Sequence, residues 1–157
     1  GITQAQLSER QGITVITPHP GEFRRLFPDL ISGHQGALSA AAQTHTTVVL
    51  KGAKVTIATP DGYLWLNPDS TSALARGGSG DVLTGLLGGL MAQGIASKVA
   101  NTSQEAILTA TLGAVWWHAH AGIYAHQQRT VLGVDPLELA RSLNLALADY
   151  LNTQIIF

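Results

Sequence analysis

The stretch Gly77-Gly78-Ser79-Gly80-Asp81-Val82-Leu83-Thr84-Gly85-Leu86-Leu87-Gly88-Gly89-Leu90-Met91-Ala92-Gln93-Gly94 decides how the rest of the chain is read. Its head is a glycine-rich turn, and the remainder is a helix apolar nearly all round, with glycines where another backbone must come close. Such a helix is expected in the middle of a packed layer. Glycines at the head let the first-turn amides point outward, where with the helix dipole they cradle an anion such as phosphate. Asp81 would repel that guest unless it has a task of its own, such as accepting a proton from a hydroxyl that attacks phosphorus. The plainer alternative is that Asp81 caps the helix and the glycines only make a tight turn.

Upstream, Gly12-Ile13-Thr14-Val15-Ile16-Thr17 is short and β-branched and stops at Pro18-His19-Pro20-Gly21, as a buried strand running into a loop does. Pro20-Gly21-Glu22 opens a helix through about Phe27, because proline suits the first turn and a glutamate suits the positive helix end. An alanine-rich helix is expected over Gln35 to Thr44. Thr46 to Gly52 is apolar enough for a buried strand, and Val55–Ala58 and Tyr63–Leu66 read as a hairpin about the turn Pro60-Asp61-Gly62. A polar loop, Asn67 to Arg76, precedes the glycines. Downstream, Gln104 to about His126 forms a long helix, and Asp135-Pro136 caps and starts the last one, through Leu151. Strands alternating with helices in this order imply an α/β sandwich with a largely parallel sheet.

Composition narrows the function classes. The 157 residues suffice for one ordinary domain. Charged residues are 12% of the chain, against roughly 25% in soluble domains. Much of the surface is therefore expected to be covered, by assembly into a homo-oligomer or by further chain. Nine Lys and Arg against ten Asp and Glu, without a basic run, give little footprint for nucleic acid or anionic lipid. Zero cysteines remove disulfides, thiolate metal sites and cysteine nucleophiles, and fit a cytoplasmic location. The apolar stretch Ile107 to Ala125 is broken by Thr109, Thr111, His118 and His120, so a buried helix is expected there and not a membrane span.

Other chemistries can be tested against the sequence. It contains no Walker loop and no Gly-x-Gly-x-x-Gly after a strand, and neither Ser79 nor Thr84 stands in a nucleophile elbow. His118 and His120 lie two apart on a helix, hence on nearly opposite faces, and are expected to pack or to be solvated and not to bind a metal. His19 lies between two prolines at a strand end, where α/β sheets hold ligands, or it is simply structural. Lys51 ends a buried strand and either approaches a nucleotide or is solvated. Glu22 either stabilises its helix start or reaches a hydrated magnesium ion near phosphates.

Together, Thr17-Pro18-His19-Pro20-Gly21-Glu22, Val49-Leu50-Lys51-Gly52-Ala53, Pro60-Asp61-Gly62 and Gly77-Gly78-Ser79-Gly80-Asp81-Val82-Leu83-Thr84-Gly85, with Ala92-Gln93-Gly94, resemble the ADP/ATP-dependent NAD(P)H-hydrate dehydratase family of the ribokinase-like fold. The resemblance runs from about Ile13 to Leu151. It implies a three-layer αβα sandwich with a mostly parallel sheet, and a repair enzyme that uses ADP or ATP with Mg2+ to dehydrate the S-form of NAD(P)H hydrate. By similarity, Asp81 contacts the hydrate and is the base, and His19 contacts the hydrated nicotinamide. Gly78, Ser79 and Gly80 stabilise the transferring phosphoryl group, and Lys51, Gly52, Ala53, Lys54 and Val55 lie along the nucleotide. An NAD(P)H-hydrate epimerase, fused or separate, is an expected partner. Alternatives are a ribokinase-like kinase of a hydroxymethylpyrimidine, a thiazole alcohol or a sugar, and a non-catalytic nucleotide-binding module. Asn67 and Ala75 fit the family's loop before the glycines, while Asn67-Pro68 is followed by Asp69 to Arg76 without the family's Gly-Asn-Pro-Gly element. Family domains begin well before the Pro-His-Pro-Gly-Glu element, so the whole chain, residues 1–157, is expected to be the C-terminal portion of one domain, N-terminally incomplete.

Overall fold

Residues 1–97 and 100–154 are described by a computed structural model, in which the chain divides into two compact units, Gly1–Pro68 and Asp69–Phe157. In the first unit the elements follow as α1 (Gln4–Ser8), β1 (Val15–Ile16), α2 (Pro20–Leu26), α3 (His34–Thr44), β2 (Thr47–Leu50), β3 (Val55–Ala58) and β4 (Leu64–Asn67). Thr3 caps α1: its hydroxyl accepts from the Gln6 amide at 3.3 Å, and the Gln6 side chain accepts from the Thr3 amide at 2.9 Å.

The four strands lie in the order β1-β2-β3-β4. β1 and β2 are parallel, joined through α2 and α3, because a parallel pair needs a crossover. β2, β3 and β4 are joined by short turns, so both remaining pairings are antiparallel. The expectation of a mostly parallel sheet is therefore corrected for the described strands, while the expected hairpin is present, with Ile57 opposite Trp65. β2 is buried throughout, as its β-branched sequence implies, whereas β1 is shorter than expected and half-buried, with β2 as its neighbour among the described strands. Phe23 and Phe27, with ring centroids 5.0 Å apart, join Leu7, Ala37, Ala40, Ala41 and Val48 in the core.

The second unit holds a 3-10 turn (Ser72–Leu74), α4 (Ser79–Ser97), α5 (Ser103–Gln128), another 3-10 turn (Val131–Gly133) and α6 (Pro136–Gln154). α5 buries a face of small residues, including Ala110, Ala114, Ala121, Gly122 and Ala125, which lets neighbours approach closely. α4 lies against it in antiparallel sense. Near one end Ser79 bonds to His118, and near the other a Cβ on Gly94 would stand 3.3 Å from the Ala106 carbonyl oxygen. Gly122 leaves room for Leu74, since a Cβ there would stand 2.6 Å from a Leu74 methyl carbon.

Among the described residues α4 has one buried stripe. It buries Ser79, Leu83 and Leu87, one stripe at helical spacing, and a Cβ on Gly85, Gly88 or Gly89 would meet nothing within 4 Å. Among the described residues no helix is long and apolar enough to cross a membrane.

Two glycine substitutions separate packing from propensity. A Cβ on Gly36, in α3, would run into the backbone carbonyl oxygen of Ile31, whereas one on Gly113, in α5, would meet nothing within 4 Å. Gly36→Ala should cost on the order of 2 kcal/mol, because a backbone carbonyl has to shift. Gly113→Ala should be neutral or stabilising by up to about 1 kcal/mol. Equilibrium urea unfolding of the two variants measures both.

Candidate active site

His19 is the N-cap of α2, in extended conformation at φ −81° and ψ 168°. Its Nδ1 accepts from the amides of Gly21 at 3.0 Å and Glu22 at 3.2 Å, and Glu22 Oε2 accepts from the His19 amide at 2.7 Å. This reciprocal arrangement is a capping box in which an imidazole takes the place usual for serine or threonine. Gly21 makes it possible, since a Cβ there would stand 2.9 Å from the imidazole Cε1. Because Nδ1 accepts two N–H groups, the proton of the neutral ring sits on Nε2, which lies 3.5 Å from Glu22 Oε1.

Lys51 comes directly after the last residue of β2. Its amide donates to the Pro18 carbonyl at 2.9 Å, tying the strand end to the Pro-His-Pro loop, and its Nζ lies 3.8 Å from Glu22 Oε2. His19, Glu22 and Lys51 thus form one polar group in the first unit. The hydrogen bond from the His19 amide, joined by the positive charges of Lys51 and Arg25, lowers the Glu22 carboxyl pKa below its ordinary value and outweighs the opposing effect of burial. Gly52, Ala53 and Lys54 are exposed in the turn after Lys51, and Val55 begins β3 half-buried.

In the second unit Gly78, Ser79, Gly80 and Asp81 make the first turn of α4 and the residue before it. Gly78 has φ +90°, and a Cβ there would stand 2.6 Å from Pro136 Cγ, so both conformation and space require glycine. The Ser79 amide donates to the Arg76 carbonyl at 3.3 Å, and the Asp81 and Val82 amides donate to the Gly78 carbonyl at 3.1 and 3.2 Å. The Gly80 amide has none of these carbonyl partners. Ser79 is buried, while Asp81 is exposed at the positive end of the helix.

Sequence reasoning did not find the part of His118. This buried imidazole places Nε2 3.0 Å from the Ser79 carbonyl oxygen and 3.3 Å from Ser79 Oγ. The available signal was a polar side chain on an otherwise small and apolar helix face. His120 packs tilted on Trp116 at 4.3 Å between centroids and lies 3.3 Å from Asp69 Oδ2, so His118 and His120 both have structural partners. Among the described residues no group of three or more His, Asp or Glu could hold a metal ion. The segment from Asp69 to Arg76 forms the 3-10 turn capped by Thr71, whose hydroxyl also bonds His126 Nδ1 at 3.0 Å.

Mixed α/β architecture with a glycine turn and an acid opening α4 defines a ribokinase-like protein. A ribokinase-like superfamily protein from Enterococcus faecalis superposes with TM-score 0.70 at 28% identity, over 87% of this chain and 44% of that one. The family model described as NAD(P)H-hydrate dehydratase matches residues 2–145, and the chain belongs to that family. It is 50% identical over 155 residues to the bifunctional NAD(P)H-hydrate repair enzyme Nnr of Synechocystis sp., covering 95% of this chain and 27% of that one. The ADP/ATP-dependent NAD(P)H-hydrate dehydratase of Bacillus subtilis, co-crystallised with ATP/Mg2+ and soaked with CoA, superposes with TM-score 0.73 at 32% identity. That match covers 90% of this chain and 51% of the other. The chain thus spans about a quarter of the length of its bifunctional relatives and about half of the solved dehydratase.

Two outcomes are expected from the geometry. Gly78→Ala should destabilise the protein by about 2 kcal/mol or more, since left-handed strain adds to the clash with Pro136; thermal unfolding measures this. Glu22 has a depressed pKa in the folded state, so its charged form contributes stability that is present above the unfolded pKa and lost as pH falls through the folded one. The stability gap between wild type and Glu22→Gln should accordingly be open at neutral pH and close in that acid range, as read from urea midpoints across pH.

Proposed function

We propose that this chain serves in nucleotide-dependent repair of hydrated nicotinamide cofactor, dehydrating the S-form of NAD(P)H hydrate to NAD(P)H, and that its two units are portions of one dehydratase domain. One observation carries the reading: a glycine turn, held open by Gly78 at φ +90°, presents an exposed Asp81 at the start of α4. Water added to the nicotinamide ring leaves a hydroxyl that departs poorly. Asp81 accepts the hydroxyl proton as the oxygen attacks the terminal phosphorus of ATP or ADP, and the nucleotide leaves one phosphate shorter. Phosphate then departs as the ring nitrogen lends its electron pair, and loss of the neighbouring C–H proton restores the dihydropyridine.

In this reading the helix start around Gly78, Ser79 and Gly80 stabilises the transferring phosphoryl group through backbone N–H donors and the helix dipole, chiefly through the Gly80 amide. His19 meets the hydrated nicotinamide as a donor through Nε2–H, because its Nδ1 is occupied by the helix cap. Lys51 to Val55 lies along the nucleotide. Among the described residues the side chains supply no cage for a resident metal, so Mg2+ would be carried chiefly on the nucleotide's phosphate oxygens, where it neutralises charge. Glu22, half-exposed, is the carboxylate assigned to one of its waters. The low charge fraction and the exposed Leu64 and Leu66 on β4 support assembly into a homo-oligomer, and an NAD(P)H-hydrate epimerase, fused or separate, is the further partner, in keeping with relatives named as bifunctional repair enzymes. A cytoplasmic setting fits the lack of cysteine.

Asp81→Ala in the full-length protein provides the test. Recovery of reduced-nicotinamide absorbance from the hydrate, with ADP or ATP, should fall by roughly 10²- to 10⁴-fold while nucleotide binding persists. Wild-type protein that ignores the hydrate but phosphorylates a hydroxymethylpyrimidine, a thiazole alcohol or a sugar would replace this reading with that of a kinase. Function unchanged in Asp81→Ala would point to a binding module.

A further inference from the structure

We propose that His118 is a positioning residue that aims the Gly80 amide at phosphate, an inference that rests on the reading of the α4 turn as the phosphoryl-transfer site. The Ser79 carbonyl and the Gly80 N–H belong to the same peptide unit, and in a planar trans peptide the two point in opposite directions. His118 Nε2 lies 3.0 Å from the Ser79 carbonyl oxygen. A carbonyl oxygen only accepts, so Nε2 carries the proton and donates it, with Ser79 Oγ at 3.3 Å as a second, longer acceptor. Drawing the carbonyl towards α5 turns the Gly80 N–H away from α5. The neighbouring amides of Ser79, Asp81 and Val82 are held by backbone carbonyls, so Gly80 is the amide of this turn that the bond from His118 orients for a ligand. A hydrogen bond to the carbonyl also polarises the peptide and strengthens its N–H as a donor.

The setting of His118 favours this role over packing. Its neighbours on the buried face of α5 are Ala114, Val115, Ala119, Ala121 and Gly122. An apolar residue would fill the same space without burying a polar ring, which is unfavourable unless the ring is hydrogen-bonded. The imidazole contributes what an apolar side chain lacks, a donor at the reach of Nε2. The 3-10 turn against Gly122 and the start of α6 against Gly78 hold the same region from other sides, so the peptide plane has little freedom once the bond is made.

Glutamine and asparagine divide the two accounts, since the glutamine amide nitrogen stands near the place of Nε2 and the asparagine nitrogen near that of Nδ1. In the full-length protein, His118→Asn should lower kcat by about 10- to 100-fold with KM for the hydrate within about twofold, whereas His118→Gln should stay within about threefold of wild type. Amide hydrogen exchange over residues 79–82 should accelerate in His118→Asn and not in His118→Gln. Equal impairment of both variants, with exchange rising along all of α5, would overturn the proposal in favour of packing. So would a His118→Asn variant with wild-type kcat and exchange. Wild-type protein that binds ATP but leaves the hydrate untouched would sink the dehydratase reading alone. The role of His118 would then be judged by ATP affinity and exchange, lost in asparagine and kept in glutamine.

Discussion

A single backbone position, Gly78, sets the terms for the second unit. At φ +90° it makes the sharp entry into α4, and the Pro136 ring stands where any side chain would begin. Pro136 is there because α6 starts there, with Asp135 Oδ1 accepting from the Glu138 amide at 2.8 Å as its cap. α6 is tied in turn to α5 by the Trp117 indole, which donates to the Leu143 carbonyl at 2.7 Å. α5 brings His118 back to Ser79, next to the glycine where the path began. The glycine turn is therefore held by a closed circuit of helices, and a rigid scaffold of this sort is what precise placement of backbone donors requires.

Local signals in the sequence were enough for most of this circuit. β-branching gave the buried β2, the Pro60-Asp61-Gly62 turn gave the hairpin, and Asp135-Pro136 gave the start of α6. Failures came where the outcome depends on how elements pair and on what packs against them. Alternation of strands and helices suggested parallel pairing, but the links from β2 to β3 and β4 are too short for crossovers, and adjacent strands paired antiparallel. Apolar residues run nearly all round α4, and the described residues bury its Ser79, Leu83 and Leu87 stripe, because hydropathy states what a face prefers and not what meets it. Within the candidate site, the glycines and Asp81 were legible from chemistry at fixed spacing. His118 was not, because its meaning depends on a contact between residues 39 positions apart.

The two helix starts that carry the candidate residues solve the same problem in opposite ways. Every helix leaves its first amides without internal partners. In α2 the imidazole of His19 takes up the amides of Gly21 and Glu22, and Glu22 returns the bond to the His19 amide. That end is closed by its own side chains, so a ligand can be met there by the outer edge of the imidazole but not by these backbone donors. In α4 the amides of Ser79, Asp81 and Val82 are satisfied by carbonyls of Arg76 and Gly78, and Ser79 directs its own carbonyl to His118. Tight glycine geometry thus satisfies those donors without placing a capping side chain over the turn. Of the two helix starts, α4 therefore leaves its turn uncovered by a capping side chain, whereas α2 presents only the outer edge of its capping imidazole.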